Sequence, residues 1–182
     1  MKKALAMVEY KTVSSGMQAA DIMVKTAEVD IIEATTVCPG KYMVLVSGLL
    51  SAVRAAVDAA ATKLPEMLID SFVLGNPHDT IFDALYGTTD IGNPDALGVL
   101  ETFSSSAAIV AADIAAKTAL VDLIELRLSR GMCGKSYLLL TGEIAAVQAA
   151  IDRAKSGAGE NGMFLDSAVI PHPDEKMWRS IL

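Results

Sequence analysis

The chain repeats itself. Ala4-Leu5-Ala6-Met7-Val8-Glu9 returns 92 positions later as Ala96-Leu97-Gly98-Val99-Leu100-Glu101. At the same spacing Ala19-Ala20-Asp21-Ile22 returns as Ala111-Ala112-Asp113-Ile114, and Lys25-Thr26-Ala27 as Lys117-Thr118-Ala119. Val29-Asp30 returns as Val121-Asp122. Matches of this length without a gap predict two tandem copies of one small fold, and a repeat constrains architecture more than any local propensity does. The spacing then grows. It is 94 from Gly40-Lys41 to Gly134-Lys135 and 96 from Asp70-Ser71 to Asp166-Ser167, which places the insertions in loops.

Each copy reads β-α-β-β-α-β. In the first, Leu5 to Tyr10 is a short apolar run and predicts a buried strand. Ser14-Ser15-Gly16 offers capping hydroxyls for a helix that carries Met17, Ala20, Val24 and Ala27 on one face. Val29 to Val37 is β-branched and predicts a second strand, broken at Cys38-Pro39-Gly40. Lys41 to Val46 predicts a third strand, Leu50 to Leu64 an Ala-rich second helix, and Leu68 to Leu74 a fourth strand. These patterns divide the chain into a first domain over 1–78, a linker over 79–95 with a short helix at its start, and a second domain over 96–182. The tail from Asp174 holds the one tryptophan, Trp178, and is expected to pack on the body.

Composition narrows the classes of function. Of 182 residues, 52% are hydrophobic and 20% charged, which predicts apolar surface committed to subunit contacts. A net charge of −7 argues against a nucleic-acid partner, which needs Lys and Arg against phosphate. The two cysteines, Cys38 and Cys133, make no disulfide framework and fit a reducing cytosol. Met1-Lys2-Lys3 precedes an apolar run too short for a leader. No stretch reaches the roughly 20 apolar residues of a membrane helix, so no membrane is expected. Gly157-Ala158-Gly159 lacks the context of a phosphate loop, and His78 and His172 each stand without a second donor at ligand spacing. With no paired acid and base and no nucleophile beside a base, the expectation is a protein that is not an enzyme.

Each copy resembles a bacterial microcompartment shell domain. The likeness rests on a first strand ended by Glu9 or Glu101 and on helices with Ala19-Ala20-Asp21…Lys25 and Ala111-Ala112-Asp113…Lys117. It rests also on a small-residue loop and on the ends Asn76-Pro77-His78 and Pro171-His172-Pro173. The resemblance implies an α/β (α+β) fold: two tandem ferredoxin-like shell domains whose sheets contain antiparallel strands. It implies a homotrimer that forms a pseudohexamer, since a head-to-tail contact that closes makes a ring. Its place would be cytoplasmic, in a microcompartment shell, among other shell proteins and enclosed redox enzymes. Lys25 and Lys117 match the family's lattice-edge lysine; the plain alternative is a solvated helix lysine. Asn76 and His172 stand where members often carry Arg.

The loop between strands two and three lines the pore in this family. Here it reads Cys38-Pro39-Gly40-Lys41 in the first copy and Met132-Cys133-Gly134 in the second. The first resembles the propanediol-utilisation subtype, in which three chains hold one [4Fe–4S] cluster. Clusters are usually held by four thiolates. Three Cys38 on a threefold axis would give three and leave one iron open, for electron transfer across the shell or cluster delivery. Lys41 would add positive charge near an anionic cluster. Other readings stay open: Cys38 as a small buried apolar side chain, zinc on three thiolates and water, or a plain metabolite-conducting pore. A remoter one is a sensor or enzyme on a ferredoxin-like trimer. Cys133 could line the pore, join the site or be inert; the resemblance favours a non-ligand.

Overall fold

The computed structural model describes residues 4–160 and 162–182. Met1-Lys2-Lys3, weighed above as a leader, lies outside the described residues, as does Asn161. The chain divides into two compact units. One runs to Pro77 and includes Arg130–Cys133; the other holds His78–Ser129 and Gly134–Leu182.

In the first unit, β1 (Ala4–Tyr10), α1 (Val13–Thr26), β2 (Val29–Val37) and β3 (Lys41–Gly48) are followed by α2 (Leu50–Lys63) and, after a short 3-10 turn at Pro65–Met67, β4 (Leu68–Leu74). The sheet order is β2-β3-β1-β4 and each pair is antiparallel. β1 sits between β3 and β4 and is buried along its whole length, which accounts for its unbroken apolar sequence. Ala4, Ala6, Val8 and Tyr10 pack with Ala19 and Met23 of α1 and with Val53, Ala56 and Ala60 of α2.

The second unit opens with α3 (Thr80–Tyr86), which ends at Gly87 in the left-handed region. Then come β5 (Ala96–Thr102), α4 (Ser105–Thr118), β6 (Asp122–Arg127), β7 (Ser136–Gly142), α5 (Ile144–Gly159), β8 (Phe164–Ile170) and α6 (Glu175–Ile181). Its sheet order, β6-β7-β5-β8, is that of the first. Even the irregularities repeat. The register shifts at Glu9/Tyr10 and at Glu101/Thr102, and again at Ile31/Glu33 and at Leu123/Glu125. The fold is therefore two α/β domains with four-stranded antiparallel sheets.

Two local expectations for α1 are corrected. Its cap is Thr12, whose hydroxyl accepts from the Ser15 N–H at 3.3 Å; Ser14 and Ser15 lie inside the first turn. Its buried face is Ser15, Gly16, Ala19 and Met23, while Met17 and Val24 are exposed. The helix is apolar on more than one side, so spacing alone offered two stripes. Gly16 decides between them. A Cβ there would meet the Tyr42 ring and Cβ at 2.4 Å, so the glycine lets α1 rest on Tyr42. In the second copy Ala108 and Ser136 stand at these two places, a larger residue on the helix facing a smaller one on the strand.

Candidate functional site

The first loop is the tip of the β2–β3 hairpin. Val37 pairs with Lys41, and the Gly40 N–H donates to the Val37 carbonyl at 3.0 Å. The Cys38–Pro39 peptide is cis, and Gly40 takes φ +90, which glycine alone adopts without cost. Pro39 and Gly40 are exposed and Cys38 is half-buried with a free thiol. The hairpin thus holds the thiol at an outer tip, within reach of another molecule.

Lys41 does something its place in the sequence did not announce. Its Nζ lies 2.6 Å from Oε1 of Glu9, whose side chain is buried. The contact is ionic: among the described residues Oε1 makes no aligned hydrogen bond, nor does the buried Tyr10 hydroxyl. Burial pushes the Tyr10 phenol above its ordinary range. The charge expected to serve an anionic group at the loop is held inward by Glu9.

The second loop is longer and built differently. Ser105 Oγ lies 2.6 Å from Ser129 Oγ, the Ser129 hydroxyl donates to the Gly134 carbonyl at 3.0 Å, and the Ser129 N–H donates to Ser136 Oγ at 3.1 Å. All three serines are buried. They satisfy each other where the first copy has the Tyr42 ring, whose hydroxyl donates to the Ala34 carbonyl at 3.0 Å. Beyond this base the chain passes through positive φ at Ser129, Gly131, Cys133 and Gly134, which exposes the Cys133 thiol. Arg130, grouped with the first unit, donates to Glu33 Oε1 and, at 3.3 Å, to Thr35 Oγ1. Met132 is half-buried. Sequence inspection missed the serine cluster because its members lie on α4, the loop and β7; the signal available was three serines where the first copy has Val13, Val37 and Tyr42.

The paired lysines behave alike. Lys25 Nζ lies 2.7 Å from Asp21, and Lys117 Nζ 2.6 Å from Asp113, each one helical turn back. Asp113 is buried and also accepts the His78 main-chain N–H at 2.8 Å. His78 Nδ1 contacts the Thr80 hydroxyl at 2.8 Å, a turn contact at the start of α3.

β6 and β7 carry a further polar cluster. Tyr137 donates to Glu125 Oε2 at 2.6 Å, Arg127 Nε and an Nη donate to Glu125 Oε1 at 3.0 and 2.6 Å, and the guanidinium lies 5.5 Å from the Tyr137 ring centre. Burial, reinforced by the Glu125 hydrogen bond, pushes the Tyr137 phenol up to about 12. The same carboxylate raises Arg127.

Neither cysteine can bind a cluster within one chain. Among the described residues no three His, Cys, Asp or Glu side chains are grouped to hold a metal. The donor set fits a cluster only if several chains each bring Cys38 to one place. Among the described residues no helix is long and apolar enough to cross a membrane.

Comparison with known proteins accounts for this arrangement. Residues 4–77 and 96–173 each match the BMC domain family. The chain is 35% identical over 182 residues to the bacterial microcompartment shell protein PduT of Citrobacter freundii, covering 100% of this chain and 99% of that one. It is 37% identical over 98 residues to a major carboxysome shell protein of Prochlorococcus marinus, covering 52% of this chain and 89% of that one. The crystal structure of a microcompartment protein from Desulfitobacterium hafniense superposes with a TM-score of 0.94 at 41% identity, over 98% of this chain and 99% of that one. A tandem pair of BMC domains, matched end to end by such a relative, makes this chain a member of the bacterial microcompartment shell proteins.

Proposed function

We propose that this chain is a trimeric shell tile in which Cys38 from three chains meets on the threefold axis and holds one [4Fe–4S] cluster. The observation that carries this is the free, half-buried Cys38 thiol at the tip of a hairpin closed by the Val37–Gly40 hydrogen bond. The full-length likeness to the shell protein PduT adds the expectation of a shell setting among other shell proteins, and the cluster reading itself assigns enclosed redox enzymes as further partners. When bound, such a cluster supplies one-electron chemistry, for transfer across the shell or for delivery to enclosed enzymes. The chain's own part is positional. Gly40 keeps the tip narrow, Pro39 removes a donor from it, and the β2–β3 ladder fixes where the thiol sits. Cys133, on a loop of different build, is not a ligand in this reading. Lys25 and Lys117 lie on helix faces toward neighbouring tiles.

Anaerobic purification, iron and sulfide assay and EPR of the reduced protein test the proposal. The expected result is about four irons and four sulfides per three chains, lost in Cys38→Ser. A cluster signal that survives Cys38→Ser would sink it. A second reading is a tile whose pore conducts a metabolite. The Lys41–Glu9 ion pair favours it, because the loop then brings no unpaired positive charge to an anionic cluster. An anaerobic preparation without iron would select that reading.

A further inference from the structure

The two copies differ in how much of one face they cover. On the second copy α3 lies over β6 and α4, with Ile81 and Ala84 buried. The His78 main-chain N–H donates to Asp113 Oδ1, and the Thr89 hydroxyl donates to the Leu123 carbonyl, both at 2.8 Å. Beneath this cover Ile109 and Leu123 are 0% exposed. At the 92-residue spacing the first copy presents the same face open. Met17, the counterpart of Ile109, is 57% exposed, and Ile31, the counterpart of Leu123, is 44% exposed. Asp21, the counterpart of Asp113, is exposed, and so is Val24 beside it. Single exposed apolar side chains are ordinary. An open apolar face whose duplicate is sealed is a different matter, because the shared sequence was kept compatible with a cover.

The repeat also names the cover. The second copy is sealed by the segment directly after the first copy's last strand: Pro77-His78, then the seven-residue α3. The segment directly after the second copy's last strand has the same order: at the 96-residue spacing Pro173-Asp174 answers Pro77-His78 and is followed by the seven-residue α6, which starts one residue earlier than α3 does. α6 carries Met177, Trp178 and Ile181 yet has no buried residue. Its end, Ile181 and Leu182, lines a groove of about 400 Å³ with Thr89 and Ile124 of its own unit. Met177 remains exposed.

We infer that the face formed by Met17, Asp21, Val24 and Ile31 is the seat for the Pro171–Leu182 segment of a second copy of this chain. The Asp174 main-chain N–H donates to Asp21 there, as His78 does to Asp113, and Met177, the counterpart of the buried Ile81, covers Met17 and Ile31 together with Trp178. The contact joins unlike surfaces, so it runs head to tail and closes when three chains complete six domains. The inference rests on the ring-forming tile proposed above and names the surfaces that join its chains.

Two variants separate the surfaces. Ile31→Asp spoils the seat and leaves the tail intact; Met177→Asp spoils the tail and leaves the seat intact. Sedimentation of each alone is expected to give single chains, against a closed ring for the unaltered protein. An equal mixture is expected to give a two-chain species and nothing larger, since one good tail meets one good seat. The sole tryptophan, Trp178, reports the same event: its emission shifts to the blue on mixing. Met17→Glu, at a site already exposed, repeats the seat experiment, and far-UV circular dichroism checks that each variant is folded. Variants that still form the full ring, or a mixture that does not pair, overturn the inference while the ring stands. An unaltered protein that sediments as a single chain overturns the ring itself.

Discussion

Lys41 shows how one residue's neighbours decide its role. A lysine beside a cysteine in a loop reads as charge offered to whatever the cysteine binds. In the fold its ammonium is turned to Glu9, a buried carboxylate on the central strand. Removing it leaves that carboxylate without its partner ion. Lys41→Met is expected to cost about 2 kcal/mol in urea unfolding, less than a fully buried pair because Lys41 keeps some water contact. Adding Glu9→Gln to that variant is expected to recover part of the loss. Tyr137 makes a second case. Its phenol is pushed up to about 12, so the folded chain holds that proton more tightly than the unfolded chain does near 10. The stabilisation is complete below pH 10 and is lost as the pH rises from 10 toward 12. Tyrosinate absorbance compared with Tyr137→Phe isolates this titration from the other tyrosines, and a step at ordinary phenol pH would contradict it.

At the scale of elements, the strand and helix order was legible because each run keeps one period and is ended by Pro, Gly or a charge. β2 and β4 fall where their sequences predict them. The side of α1 that faces inward was not legible. An alanine-rich helix shows several apolar stripes, and the choice belongs to the partner surface, here Tyr42 against Gly16. Gly16→Ala is expected to destabilise the first copy by about 3 kcal/mol, because the new methyl would overlap the Tyr42 Cβ, which is fixed to its strand. Thermal unfolding measures it, and an unchanged transition would remove the glycine from the argument. The second loop carries the same lesson. Three serines distant in sequence become one buried hydrogen-bonded group only when α4, the loop and β7 meet.

For the whole molecule, duplication produces two domains that share strands, irregularities and paired helix lysines yet differ in the loop between their second and third strands, in the length of the second helix and in the cover over one face. The loop between the second and third strands is where one copy can be specialised without disturbing the sheet, since loops accept insertions more readily than strands do. The cluster proposal belongs to this scale, because no single chain supplies enough thiolates. Cys133→Ser is therefore expected to leave iron content unchanged while Cys38→Ser removes it, both measured on anaerobic protein. Loss of iron in both variants would make Cys133 a ligand and reassign the site.

The sequence by itself determined the duplication and the β-α-β-β-α-β order of each copy, because these rest on local periods and on matches between two stretches of one chain; membership of the shell family was legible through the likeness of its motifs to those of known shell domains. Cys38 stood out only through the resemblance of its loop to a shell-protein subtype; its place before Pro39-Gly40 at a strand break fits a small buried side chain equally well. Only the tertiary structure decided that Lys41 is neutralised by Glu9, that three serines support the second loop, and that the first copy leaves open a face its duplicate seals. Those outcomes depend on which residues, far apart in the chain, come within a few ångströms of one another. Period and spacing along a chain carry no record of such approaches.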